Sequence, residues 1–229
     1  MSGDPFEVLA MDVGIATHDY RSVWETQRHI HRQVVEGSRP PTVLILEHSE
    51  IFTAGSRTQP EDRPRDGSEV VEVDRGGRIT WHGPGQLVCY PIVPLPHPMD
   101  VVAHVRRLEE IAIKTCADFK VEAQRVDGRS GAWVIDGSEV PAKIAAVGVR
   151  VSRGVSMHGL ALNVSCDLSW AERIIPCGLN GTTVTSIAEI STGDVRVGEV
   201  SRRLVAHLRA VLSPALPASQ NLQARTLDT

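Results

Sequence analysis

The sequence predicts an α+β or mixed α/β fold built around a largely antiparallel sheet. Strand-like segments outnumber helical ones, several strands follow one another directly, and three amphipathic helices separate the groups of strands. The 229 residues, 41% of them hydrophobic, are enough for one sizeable core. We therefore expect a single domain over residues 1–213, followed by a polar, disordered tail over residues 214–229.

Charge and composition argue against several function classes. The net charge of -4 provides no basic field for nucleic acid. No apolar run approaches about 18 residues, and the acidic start lacks a signal-peptide pattern, so we expect a cytoplasmic protein that does not enter a membrane. The four cysteines are scattered and have no zinc-ligand spacing, so we expect reduced thiols and no metal site.

The first 93 residues predict one helix and several strands. Thr17 can cap a helix that ends at Gly37, because its packing positions, from Tyr20 to Val34, recur every three or four residues. A polar loop is expected at residues 56–68. Strands are predicted at 6–13, 42–48 and 51–55, with two or three more within 70–93.

The second part of the chain predicts two long helices and four more strands. Asp100 can cap a helix that extends to Phe119, and the last helix has its inner face between Val197 and Val211. A short helix is expected at residues 170–174. The four strands are predicted at 122–126, 131–135, 143–152 and 155–164.

Lys143 is out of place at the head of an apolar, strand-like segment. In residues 143–152, valines alternate with Gly148, Arg150 and Ser152. Only three of the 24 Lys and Arg residues are lysines. Lysine can lose its proton in a protein whereas arginine cannot, and a buried lysine needs a partner or a chemical task. The alternative is a strand-end lysine whose ammonium group reaches water.

Cys177 lies in the turn-forming segment IIPCGLNG, residues 174–181, where a proline and a glycine flank the cysteine. A nucleophilic cysteine must be reachable and needs a neighbour that takes its proton or stabilises the thiolate, and Lys143 could be that neighbour. The alternative is a small buried hydrophobic residue. Cys177 fits that alternative least. The role of a small buried hydrophobic residue suits the other three cysteines, which lie in strand or helix segments: Cys89, Cys116 and Cys166.

The segment RGGRITWHGPGQ, residues 75–86, contains four glycines but lacks the spacing of a phosphate-binding or dinucleotide-binding loop. Glycines among strand residues let a ligand or another chain segment come close. Small residues recur in the later strands, and together they predict a slot for an apolar ligand. Two alternatives stay open: the glycines serve only tight hairpins, and His82 and His158 are interior histidines rather than donors at the slot.

Five segments together resemble the lipoyl(octanoyl) transferases, also called lipoate-protein ligase B, over roughly residues 40–190. Small departures are Ser49-Glu50 where the family tends to have a proline after the histidine, Trp81 where tyrosine is usual, and Trp170 where phenylalanine is common. None of them touches Lys143 or Cys177. The segments are LEH (46–48) with FTAG (52–55), RGGRITWHGPGQLVCYP (75–91), RVDGRSGAWV (125–134), KIAAVGVRVSRGVSMHGLALNVSCDL (143–168) and IIPCG (174–178).

The resemblance implies a fold similar to the biotin and lipoate protein ligases, with a large mixed, mostly antiparallel sheet, a smaller sheet and flanking helices. It also implies an acyl-enzyme mechanism in which Cys177 is the nucleophile and Lys143 activates it. The implied acyl-pocket residues are Arg75, Gly76, Gly77, Arg78, Ile79, Thr80, Trp81, His82, Ala146, Val147, Gly148, Gly159, Leu160 and Ala161.

The implied reaction moves an octanoyl group from octanoyl-acyl carrier protein to one lysine of a lipoyl domain, the first step of endogenous protein lipoylation. The donor is already an activated thioester, and its phosphopantetheine belongs to the carrier, so neither ATP nor a cofactor is expected. The implied acceptors are the lipoyl domains of 2-oxoacid dehydrogenase acyltransferase subunits and the glycine cleavage H protein.

Two other functions stay open on the sequence. The first is an ATP-dependent lipoate or biotin protein ligase on the same scaffold, which would need an adenylate site and no nucleophilic cysteine. The second is a non-catalytic module that binds an acyl carrier or a fatty acid, in which Cys177 and Lys143 would be incidental.

Overall fold

Two β-sheets and four α-helices make up the described part of the chain, residues 4–135, 137, 140–174 and 183–217 of a computed structural model. The helices are α1 (Tyr20–Val35), α2 (Val101–Asp118), α3 (Ile187–Ile190) and α4 (Val197–Leu212). The strands are β1 (Glu7–Ala10), β2 (Thr42–Leu46), β3 (Ile51–Ala54), β4 (Val70–Glu72), β5 (Thr80–His82), β6 (Gln86–Ile92), β7 (Ala123–Val126), β8 (Arg129–Val134), β9 (Ala142–Ser152), β10 (Val155–Asn163) and β11 (Thr183–Val184).

The larger sheet has the strand order β1-β2-β6-β10-β9-β8-β7, and β11 pairs with the first residues of β9. The pairs β1–β2 and β9–β11 are parallel, and the other pairs of this sheet are antiparallel. The smaller sheet has the order β4-β3-β5. The predicted fold class, a large mixed and mostly antiparallel sheet with a smaller sheet and flanking helices, is confirmed.

Helices cover both faces of the larger sheet. Apolar side chains of α2 and α4, such as Leu108 and Leu204, pack against Leu160 and Leu162 of β10 in the main core. On the other face, α1 packs through residues such as Ile30 against β2, β6 and β10. The sheet is therefore buried on both sides in its centre, which explains why every residue of β2, β6 and β10 is buried rather than every second one.

Local capping signals predict the start of one helix correctly and misplace that of another. Asp100 caps α2 as expected, since its Oδ1 accepts a hydrogen bond of 2.8 Å from the Ala103 N–H. The cap of α1 is Asp19 and not Thr17: Asp19 Oδ1 accepts from the Ser22 N–H at 2.9 Å. The Thr17 hydroxyl instead lies 3.0 Å from that of Ser49.

Three further details refine the sequence interpretation. The short helix expected at 170–174 is a 3₁₀ helix, Leu168–Arg173, capped by Asp167. The boundary expected at Ser213 falls in another 3₁₀ turn, Ser213–Ala215, while residues 218–229 lie outside the described residues. Within the described ranges, no helix is both long and apolar enough to cross a membrane.

Candidate active site

One narrow pocket, of about 100 Å³, brings the predicted acyl-pocket residues together. It is lined on one side by residues 146–148 of β9 and 159–161 of β10, and on the other by residues 75–82 except Gly76. Lys143 also lines it. The proximity of these groups is a structural fact, while their contact with an acyl chain stays a prediction.

Small residues from two neighbouring strands form the floor of the pocket. Gly148 lies opposite Gly159, and Ala146 lies opposite Ala161. A Cβ on Gly159 would come within 2.3 Å of the Cys89 carbonyl oxygen, so glycine is required there by the approach of β6. Ala146 and Ala161 have only methyl side chains, which leaves space above this part of the strand pair.

Lys143 is buried, with 6% of its surface exposed, and its Nζ lies 4.5 Å from the centre of the Trp133 ring. An ammonium group over an indole face is stabilised by the ring electrons. The side chain also passes close to Gly131, since a Cβ on that glycine would lie 3.6 Å from Lys143 Cε. Lys143 is therefore not an exposed surface side chain.

A bulge in β9 turns Lys143 toward the pocket. Ala132 pairs with Ala145 but the next residue, Trp133, pairs with Lys143, so one step along β8 matches two steps along β9. Without the extra residue, Lys143 would share a face with Ala145, which packs in the main core. Instead it shares a face with the pocket residues of β9.

Cys177 lies outside the described residues, so the pair it was predicted to form with Lys143 is not described. The chain reaches this region at Ile174, which is buried and lines the pocket, and continues at β11, whose Val184 lies opposite Lys143. The three described cysteines are buried. Burial raises the thiol pKa of Cys89, and that of Cys116 and Cys166 to about 12.

A chain of buried hydrogen bonds joins the pocket wall to the backbone of Lys143. His82 Nδ1 lies 2.8 Å from Gln86 Oε1, and Gln86 Nε2 donates to Asn163 Oδ1 at 3.0 Å. Asn163 Nδ2 donates to the Thr185 carbonyl at 2.9 Å, and the Thr185 N–H donates to the Lys143 carbonyl at 3.0 Å. Burial lowers the pKa of His82 well below its ordinary value, which keeps the ring neutral. The network fixes the strand ends around Lys143.

Buried aromatic residues line the pocket beside Gly159 and His82. Tyr90 is beside Gly159 in the strand register, and its hydroxyl lies 2.8 Å from His48 Nε2. The Tyr20 ring stacks on His82, with ring centres 5.8 Å apart. Burial raises the pKa of Tyr20 to about 12, so the hydroxyl stays protonated.

The sequence does not identify several residues of the pocket wall. Its periodicity assigns Tyr20 only to the packing face of α1, and the polar side chains of β6 and β10 carry no local signal. Only the strand pairing brings them together. His158, which the sequence left open as a donor at the slot, also lines the pocket. The lining residues that the sequence does not assign to it are Tyr20, Gln86, Tyr90, Ser130, Asn163, Leu168, Ala171, Ile174 and Val184.

Solved lipoate protein ligases share this fold. Lipoate-protein ligase A bound with ATP matches with a TM-score of 0.69 at 15% identity, over 98% of this chain and 94% of that one. A bipartite lipoate protein ligase from Thermoplasma acidophilum gives 0.65 at 13% identity, over 98% and 91%. The fold is thus that of the lipoate protein ligases.

Sequence similarity identifies the family among proteins of this fold. The family model of the lipoyl protein ligase A/B catalytic domain matches residues 19–209. The octanoyltransferase of Salinispora tropica is 50% identical over 203 residues, which are 88% of this chain and 95% of that protein. That of Streptomyces coelicolor is 44% identical, over 90% and 93%. The chain belongs to this family and is an acyltransferase, which confirms the resemblance seen in the motifs.

Proposed function

We propose that this acyltransferase moves an octanoyl group from octanoyl-acyl carrier protein to a lysine of a lipoyl domain, through a thioester on Cys177. The observation that carries the proposal is a buried Lys143 at one end of a pocket floored by small residues. The relatives named octanoyltransferase, at 50% and 44% identity, support the choice of acyl group.

The chemistry needs two acyl transfers and no nucleotide. The Cys177 sulfur attacks the carbonyl carbon of the donor thioester, the bond to the carrier sulfur breaks, and the thiol proton passes to the carrier sulfur. The acceptor amine then attacks the acyl-enzyme, the bond to Cys177 breaks, and an amide forms as the amine proton returns to the cysteine. Lys143 relays the proton in both steps.

Two observations support Cys177 as the nucleophile: its short distance along the chain from a pocket residue, and the burial of the other three cysteines. Cys177 comes three positions after Ile174, which lines the pocket, and three steps along the chain span at most about 11 Å between Cα atoms. The other three cysteines are buried and their thiols have raised pKa values, so they are poor nucleophiles at neutral pH.

The pocket supplies binding energy for a medium-length acyl chain. Burying an octanoyl chain at about 0.8 kcal/mol per CH₂ contributes on the order of 5 kcal/mol. Ala146 and Ala161 leave room for the chain along the strand pair, up to Gly148 and Gly159. Because the donor is already an activated thioester, the reaction needs no ATP. We expect it to take place in the cytoplasm, with lipoyl domains and the glycine cleavage H protein as acceptors.

Intact mass after incubation with octanoyl carrier protein, without nucleotide, tests the proposal. The wild type and Cys89→Ala should each gain one octanoyl group, and Cys177→Ala should gain none. Adding a lipoyl domain should discharge the adduct onto the domain. An adduct that persists in Cys177→Ala would exclude this cysteine as the nucleophile.

The same measurement distinguishes the proposed function from the two alternatives. An ATP-dependent ligase would modify the lipoyl domain only when nucleotide and free acid are supplied, and would form no covalent octanoyl adduct. A non-catalytic binding module would bind the donor and leave both masses unchanged.

A further inference from the structure

His158 adopts a costly backbone conformation inside β10. Its φ is 57°, in the left-handed region that a non-glycine residue rarely occupies within a strand, and it is only 1% exposed. The Gln27 side chain of α1 accepts a hydrogen bond of 3.0 Å from the His158 N–H. Regular alternation would put His158 on the side of Leu160 and Leu162, in the main core. The unusual φ turns the ring toward the pocket instead.

The ring is held there by a carboxylate from outside the sheet. His158 Nε2 lies 2.8 Å from Asp74 Oδ1, and Asp74 Oδ2 pairs with the guanidinium group of Arg150 on β9. The hydrogen bond from His158 is the main cause that lowers the pKa of Asp74, so the carboxylate stays ionised. We call Asp74, His158 and Arg150 the clasp.

The clasp ties down the segment that covers the pocket floor. Asp74 directly precedes Arg75, Gly76 and Gly77, and the Gly76 N–H donates to the Val149 carbonyl of β9 at 2.9 Å. A Cβ on Gly148 would lie 3.0 Å from the Gly76 oxygen and 3.2 Å from Arg75 Cδ. Residues 74–77 therefore lie directly over Gly148, and nothing as large as an alkyl chain passes between them.

This contact lies at a defined depth from the reactive end. Because the bulge adds one residue to β9, Lys143 and Gly148 are only four strand steps apart, which is roughly 13 Å at about 3.3 Å per residue. An extended octanoyl chain has seven C–C bonds of about 1.5 Å and is roughly 9 Å long. The remaining distance of roughly 4 Å is left for the reacting thioester group beside Lys143. A medium chain that starts near Lys143 therefore ends where residues 74–77 meet β9.

We propose that the clasp sets acyl-chain length by holding residues 74–77 as the inner end wall of the pocket. The inference rests on the proposed acyl transfer. His158, Asp74 and Arg150 act through the position of this wall, as positioning residues. Loosening the clasp should let longer chains enter while octanoyl transfer continues.

Asp74→Ala removes both halves of the clasp at a partly exposed position. We expect the ratio of kcat/KM for dodecanoyl over octanoyl thioester donors to rise about tenfold, the usual effect of relieving a steric limit in an apolar pocket. Arg150→Ala, which keeps the His158–Asp74 bond, should give a smaller rise. Glu72→Ala is the matched control. Glu72 lies two residues before Asp74 and pairs with Arg63, so this variant also removes an acid–arginine pair. Its dodecanoyl-to-octanoyl ratio should equal that of the wild type.

A merely structural role would lower the rates for both chain lengths equally, and an unchanged ratio in Asp74→Ala would overturn the clasp proposal. Calorimetric affinities for octanoate and dodecanoate give the same comparison without any transfer step. A wild type that forms no acyl-enzyme, but whose affinity ratio depends on Asp74, would refute the proposed function and support the clasp. Normal transfer with an unchanged ratio would refute the clasp alone.

Discussion

A one-residue irregularity decides which way Lys143 points. Alternation of the sequence at 143–152 groups this lysine with Val147 and Val149, which belong to the main core. The bulge opposite Ala132 and Trp133 reverses the alternation and brings the side chain to the pocket. The residue type is informative, because lysine is rare in this chain. The direction in which the Lys143 side chain points depends on the pairing register with the neighbouring strand β8, and no local sequence pattern encodes that register.

Lys143→Arg tests whether the lysine works through its proton or only through its charge. Arginine keeps the positive charge and can still stabilise a thiolate, but it cannot take or relay a proton. We expect transfer to fall by about 10² to 10⁴-fold, as for a missing general acid–base. Slow alkylation of Cys177 by iodoacetamide should persist, because the thiolate keeps a cation beside it.

Circular dichroism and thermal unfolding of Lys143→Arg provide the folding control, since the larger guanidinium group must fit between Trp133 and Gly131. Near-normal transfer by a folded variant across neutral pH would show that charge suffices, and would end the proton-relay role.

The sequence predicts elements better than it predicts their partners. Most strands and the long helices lie at nearly the expected positions, because apolar periodicity and caps such as Asp100 are local signals. Periodicity alone does not assign β3, β4 and β5 to a separate sheet. The short strand β11 escapes prediction, since two residues have no periodicity. Both features depend on pairing between distant segments.

Helix α2 illustrates a buried charge that periodicity could not show. Glu109 is fully buried and its Oε2 lies 2.8 Å from Arg106 Nη1 and 3.2 Å from Arg125 Nε. Its Oε1 accepts a hydrogen bond of 2.9 Å from the Gly131 N–H. Gly131 lies against Lys143, so the helix supports β8 where the lysine passes.

Glu109→Gln should destabilise the protein by about 1–3 kcal/mol, because a buried acceptor for Gly131 and a partner for two arginines are weakened together. Glu110→Gln is the matched control, since the neighbouring Glu110 is partly exposed and pairs with Arg125 and Lys114. We expect a loss of less than about 1 kcal/mol there. Urea unfolding measures both, and equal losses would contradict a supporting role for Glu109.

At the scale of the whole molecule, buried histidines make stability depend on pH. Burial lowers the pKa of His48 and of His104 to about 4. The unfolded chain, with an ordinary histidine pKa near 6.5, binds more protons than the folded protein between these two values. The free energy of unfolding should therefore decrease as pH falls from about 6.5 to about 4, and these two residues should contribute no further loss below that.

His104 allows this dependence to be measured at one position. Its ring is 2% exposed, and within the described ranges Nε2 has no hydrogen-bond partner, so an apolar replacement sacrifices no polar contact of that atom. We expect His104→Leu to be as stable as the wild type or more so at pH 7.5, and to lose less stability on acidification. The difference at pH 4 should be on the order of 3 kcal/mol. Urea unfolding at a series of pH values checks this, with His29→Gln as an exposed control. If acidification lowers the free energy of unfolding of His104→Leu as much as that of the wild type, groups other than His104 cause the pH dependence.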